Sequence, residues 1–62
     1  MTSAEAKLLK KGDYILYHGL RYKVLHIKEQ RDYHEDETYI LVKCRRKNET
    51  TWFIDSFIER ED

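Results

Sequence analysis

Proline is absent from these 62 residues, and glycine occurs only twice, at Gly12 and Gly19. Without proline, no stretch of the chain is barred from a hydrogen-bonded strand. Cysteine is nearly missing too: Cys44 stands alone, which rules out an intramolecular disulfide and a multi-cysteine zinc site and suits a reducing cytosol. Its ordinary reading is a small buried apolar residue. No apolar run approaches the roughly 18 residues that cross a bilayer, and the first residues lack the apolar stretch of a secretory signal, so the expected location is cytoplasmic. Nor is there an excess of either charge, with 12 basic side chains facing 12 acidic ones. A chain this short buries only about 60% of its unfolded surface, which leaves a core worth a few kcal/mol unless a partner adds to it. A pocket for catalysis would have to be built from loops of a few residues each. The expectation is therefore a binding module and not an enzyme, with no cofactor, no metal and no small-molecule substrate.

The charges that are present come in blocks. Lys7, Lys10, Lys11, Arg21, Lys23 and Lys28 are opposed only by Asp13, and then Glu29, Asp32, Glu35, Asp36 and Glu37 are opposed only by Arg31. Lys43, Arg45, Arg46 and Lys47 follow, and the chain closes on Asp55, Glu59, Glu61 and Asp62 with Arg60 among them. Such blocks either fold into separate basic and acidic faces or pair with one another and cancel.

Residues 1–11 read as a short helix or a flexible tail. Thr2 with Glu5 three residues later fits a capping box, Ala4, Ala6, Leu8 and Leu9 favour helix, and Lys10, Lys11 and Gly12 suit its end. Two turns are unstable alone, so order requires Leu8 or Leu9 to dock. Residues 12–62 then read as strand after strand. Tyr14-Ile15-Leu16-Tyr17 closes on His18-Gly19, a pair suited to a tight hairpin. Leu20 to Ile27 alternates, then slips by one residue, which predicts a β-bulge near Leu25 and His26. Lys28 to Glu37, almost without apolar residues, is expected to be the longest loop or the splayed tips of a hairpin, extended and mobile. Thr38 to Arg45 is a third strand, Arg46-Lys47-Asn48-Glu49 a polar turn, and Thr50 to Ile54 a fourth strand. Asp55-Ser56 starts a single helical turn, and Phe57-Ile58-Glu59 is a last short strand. The expected core is Ile15, Tyr17, Tyr22, Val24, Ile27, Ile40, Val42, Cys44, Ile54 and Phe57.

Gly12-Asp13-x-Ile15, the hairpin at Gly19 leading into Tyr22-x-Val24-x-x-Ile27, and the ending Trp52-Phe53-Ile54-Asp55-Ser56-Phe57-Ile58 carry a resemblance over roughly residues 12 to 60. With five short strands and one brief turn before the last, the chain resembles the small barrels of the Src-homology-3-like, Tudor and KOW type. The resemblance implies an all-β, five-stranded barrel. It implies no ligand: the long acidic first loop, the Ala-Leu-Tyr-Asp-Tyr motif and the Trp-Trp pair of a Src-homology-3 domain, and the Gly-rich loop of a KOW element, have no counterpart here.

Two sets of side chains are candidates for a binding surface. Tyr14 and Leu16, with Tyr39 and Leu41, fall on the outer side of their strands, leaving an apolar outer face to be covered by Leu8 and Leu9, by a partner protein or second copy of the chain, or by a ligand. Docking on a protein or self-association is the leading expectation. The alternative is nucleic acid, bound by Lys23, Lys43, Arg45, Arg46 and Lys47 with stacking on Tyr39 or Trp52. Its opponent is the zero net charge, above all if the acidic loop folds back on the basic cluster. His18, His26 and His34 recur every eight residues, but on a turn, a bulge and a loop their rings do not converge as metal ligands. Asp32, Glu35, Asp36 and Glu37 lack the spacing and turn glycine of a calcium loop.

Overall fold

A computed structural model describes residues 1–61; Asp62, the last residue of the expected 12–62 domain, lies outside the described residues. The elements are a helix α1 (Ser3–Ala6), strands β1 (Tyr14–Tyr17), β2 (Leu20–Asp32), β3 (Glu37–Arg46) and β4 (Glu49–Ile54), a 3-10 turn η1 (Asp55–Phe57) and strand β5 (Glu59–Arg60). All five strands share one antiparallel sheet in the order β4-β3-β2-β1-β5. The all-β expectation holds. No helix among the described residues is long and apolar enough to cross a membrane.

Local chemistry accounts for each element. In α1 the Thr2 hydroxyl oxygen accepts from the Glu5 amide at 3.2 Å, while the Glu5 carboxylate accepts from the Thr2 amide at 3.2 Å and its hydroxyl at 3.0 Å. These bonds, the backbone one foremost, hold the Glu5 carboxyl below its usual range. One helical turn has no stability of its own, and this one is ordered because Ala6 and Leu9 are buried in the core while Leu8 points outward. His18 and Gly19 make the two-residue β1–β2 turn with φ of 50° and 77°, the left-handed backbone that matches strand twist in tight hairpins. The bulge falls where the alternation slips, between Val24 and His26.

Lys28 to Glu37 is not a long loop. Strands β2 and β3 stay paired out to Asp32 opposite Glu37, so only Tyr33, His34, Glu35 and Asp36 remain as a turn. The backbone ladder needs no apolar side chain to persist. Asp32 supports the turn by accepting from the His34 amide at 2.9 Å, and Arg31 pairs with Asp36 at 2.5 Å.

The core comprises Ala6, Leu9, Ile15, Val24, Ile40, Val42, Cys44 and Ile58, with Tyr17, Tyr22, Ile27 and Phe53 packed against it. Two expected members are corrected. Ile54 and Phe57 are exposed, and Phe53 and Ile58 take their places. Register decides β4: Phe53 pairs with buried Val42 and Thr51 with buried Cys44, so Trp52 and Ile54 face outward. The η1 turn then rotates the chain so that Ile58, not Phe57, meets the core, and β5 begins at Glu59.

The sheet curls without closing. Strands β4 and β5 are its two edges and do not pair, which corrects the expected barrel to an open sheet. Three flat strand spacings alone would separate Tyr17 on β1 from Phe53 on β4 by ~14 Å, and their register partners on β2, Leu20 and Ile27, are further offset along that strand. The Tyr17 and Phe53 rings instead stack at 4.3 Å with 27° between planes. The β4–β5 connection requires the same curl: from Ile54 to Glu59 the chain has three 3-10 residues and two short extended steps, a reach of ~13 Å. Four flat strand spacings would need ~19 Å. The concave side therefore holds the core, α1 and η1, and the other face is convex.

Cys44 lies wholly buried, its thiol 3.6 Å from the Thr51 carbonyl oxygen. Burial pushes its pKa up to about 11, which leaves roughly one thiolate in a thousand at pH 8. A thiol reagent at pH 8 is expected to modify the native protein far more slowly than the urea-unfolded chain; equal rates would contradict this burial. Because the folded thiol is the more reluctant to ionise, its contribution to stability is complete below the ordinary thiol pKa of about 9 and declines as pH rises through 11.

Candidate functional site

In an antiparallel ladder, directly paired residues present side chains on one face. Val24 with Cys44, and Ile27 with Val42 and Phe53, point into the core, so the alternate pairs define the convex face. That face reads in rows across the strands. One row runs Tyr14, Lys23, Arg45, Thr50; the next His26, Lys43, Trp52; the next Lys28, Leu41, Ile54; then Gln30 with Tyr39. Along β2, β3 and β4 these rows hold Lys23, Lys28, Lys43 and Arg45 and no carboxylate.

The expected apolar set lies on this face without forming one patch. Tyr14 is exposed, and Leu16, Tyr39 and Leu41 are half-buried. Tyr14 and Leu16 belong to β1 and Tyr39 and Leu41 to β3; between them β2 interposes Arg21, Lys23, His26 and Lys28. Leu8 and Leu9 do not cover it, because α1 packs on the concave side.

The expected basic set divides. Lys23, Lys43, Arg45 and Trp52 come together on the convex face. Arg46, one residue on from Arg45, turns to the opposite face beside Glu49, and Lys47 sits in the β3–β4 turn with φ of 56°. The Lys47 carbonyl accepts from Arg45 Nε at 2.9 Å, which steadies the guanidinium. Two members were missed, His26 and Lys28. Their signal was in the sequence: a bulge at Leu25 carries Lys23, His26 and Lys28 onto one face.

Aromatic rings on this face have cations against them. Lys43 Nζ is 6.0 Å from the Trp52 ring centre, with the His26 ring edge-on to Trp52 at 6.4 Å. Arg21 lies over Tyr14 at 3.7 Å and is tied to Glu61 at 2.7 Å. Trp52 is 45% exposed, enough to offer its ring to a ligand, whereas Tyr14 is 37% exposed with Arg21 over one face of its ring.

The carboxylates of this face sit at its ends: Asp32 pairs with Glu37 beyond the Gln30–Tyr39 row, and Glu59 pairs with Leu16 next to the Arg21–Glu61 ion pair. The Asp32–Glu37 end of the hairpin lies nine residues along β2 from Lys23, about 30 Å away at strand rise. Glu29 pairs with Lys7 at 3.6 Å, on the concave face that α1 occupies. The acidic turn therefore does not fold back on Lys43, Arg45, Arg46 or Lys47. Among the described residues, Lys23, Lys28, Lys43 and Arg45 have no acidic partner.

A cleft of about 210 Å³ opens at the β1–β5 edge, lined by Leu9, Gly12, Asp13, Tyr14, Arg60 and Glu61. Its Asp13 carboxylate is engaged by the Lys10 amide at 2.9 Å. No group of three or more His, Cys, Asp or Glu side chains among the described residues is placed to hold a metal ion. Compared with known proteins, the chain matches no protein-family model, no curated protein and no solved structure.

Proposed function

We propose that this protein is a non-catalytic binding module of the cytoplasm, with a Src-homology-3-like strand arrangement, that binds nucleic acid on its convex sheet face. Five antiparallel strands with one brief helical turn before the last support that architecture. One observation carries the ligand: Lys23, Lys28, Lys43 and Arg45 lie beside Trp52 on a face whose central rows hold no carboxylate. A net charge of zero does not oppose this, since affinity for a polyanion depends on the phosphates neutralised locally, and the carboxylates on this face stand at its ends, Asp32 and Glu37 at the hairpin tip and Glu59 and Glu61 at the β1–β5 edge.

Neutralising about four phosphates gives a salt slope of log K against log salt near −3. Replacing Lys23, Lys43 and Arg45 together by alanine is expected to weaken binding equally for all sequences and to flatten that slope by about two. Fluorescence anisotropy of labelled oligonucleotides at low salt measures both. No complex at high micromolar protein, or an unchanged slope in the triple variant, overturns the proposal.

A second reading, docking of a partner protein or of a second copy, draws on Leu16, Tyr39 and the Leu41–Ile54 pair beside the unpaired edge of β4. Sedimentation distinguishes it, because self-association raises the mass with concentration.

A further inference from the structure

Building on the nucleic-acid reading above, we infer that the ligand is single-stranded, its unpaired bases stacking on Trp52 and Tyr14 while its backbone crosses Lys43, Arg45 and Lys23. Three features select a single strand over a duplex. The rings come first: Trp52 and Tyr14 stand exposed at opposite sides of the cations, on strands β4 and β1 and in neighbouring rows, Tyr14 with Arg21 over one face of its ring. A ring offered in this way is useful only to a base whose own face is open, and duplex bases hide theirs.

The second feature is shape. The convex face meets a duplex, itself a convex cylinder, along a narrow line, whereas a flexible strand drapes over it. The third is the absence of a suitable reading element. A two-stranded ribbon is one of the shapes a major groove admits, and the β2–β3 hairpin is such a ribbon. Its end, however, carries Asp32, Glu35, Asp36 and Glu37, which duplex phosphates repel. Helix α1 has one turn and lies on the concave side.

Trp52 is the only tryptophan, so its emission reports directly on the contact. The full chain is titrated at low salt with a single-stranded DNA oligonucleotide, the RNA of the same sequence, the corresponding DNA duplex, and inorganic polyphosphate. Quenching by one or both single strands is expected, the DNA and RNA arms separating the two sources, with at least tenfold weaker binding of the duplex and no quenching by polyphosphate. Neither variant keeps a tryptophan, so their binding is read by fluorescence anisotropy of the labelled single strand: Trp52→Ala is expected to weaken it roughly 5- to 150-fold, and Trp52→Phe to restore most of it. Both variants change an exposed side chain, and far-UV circular dichroism confirms their fold. Duplex binding as tight as single-strand binding, or single-strand binding indifferent to Trp52→Ala, overturns this inference and leaves the nucleic-acid reading standing. Failure to bind any of the four polyanions overturns both.

Discussion

Val24→Asp is expected to be unfolded at 25 °C. Val24 is a fully buried residue of β2, and its backbone anchors the incoming chain: its amide donates to the Asp13 carbonyl at 2.7 Å and its own carbonyl accepts from the Gly12 amide at 2.9 Å. A carboxylate there has no partner, and an uncompensated buried charge costs several kcal/mol. The whole stability of 62 residues is about 3–9 kcal/mol, so one such cost is comparable with the total. Leu20→Asp is the control. It lies on the same side of β2 but is 42% exposed, and it should remain folded. A cooperative melt and native circular dichroism in Val24→Asp would contradict the position assigned to it.

Asp55→Ala is expected to cost about 1–3 kcal/mol, the penalty of leaving a buried amide unsatisfied. Asp55 is the one buried charged residue among the described residues, and its carboxylate accepts from the Ile40 amide at 3.1 Å. Strand β4 stops pairing with β3 at Ile54 opposite Leu41, so the next amide of β3 on that side has no strand to meet. The Asp55 side chain takes the place of the missing carbonyl. Asp55→Asn keeps an oxygen acceptor and should recover most of the loss; denaturant unfolding of the three proteins measures it. Equal destabilisation by Asn and Ala would show that charge, and not the hydrogen bond, matters there.

Elements with strong local chemistry were legible in the sequence. The capping box, the His18-Gly19 turn, the slip at Leu25 and the helical turn at Asp55 each depend on a few adjacent residues. What failed depended on partners. Trp52, Phe53 and Ile54 are consecutive apolar residues, so alternation carries no phase, and pairing with β3 decides which faces inward. Along the outer half of the β2–β3 hairpin both faces leave the core, the period-two pattern vanishes, and the stretch reads as loop although its backbone is paired. The site was half legible for the same reason. Lys23, Lys43 and Arg45 follow from alternation within single strands, whereas Lys28 needs the bulge and the exclusion of Arg46 needs the face of β3 to be known.

The link from β4 to β5 specifies a dimension as well as a path. Because Asp55 to Ile58 is shorter than the width of a flat sheet, the number of peptide units in it sets how far the two edges are drawn together. On the far side of the molecule, the same number sets the spread between Tyr14 and Trp52. Side chains at exposed Ser56 and Phe57 can drift without altering that spread, but an insertion or deletion between Ile54 and Glu59 would reset it. In evolutionary terms, the gauge of the convex face is carried by the length of a segment that touches none of it.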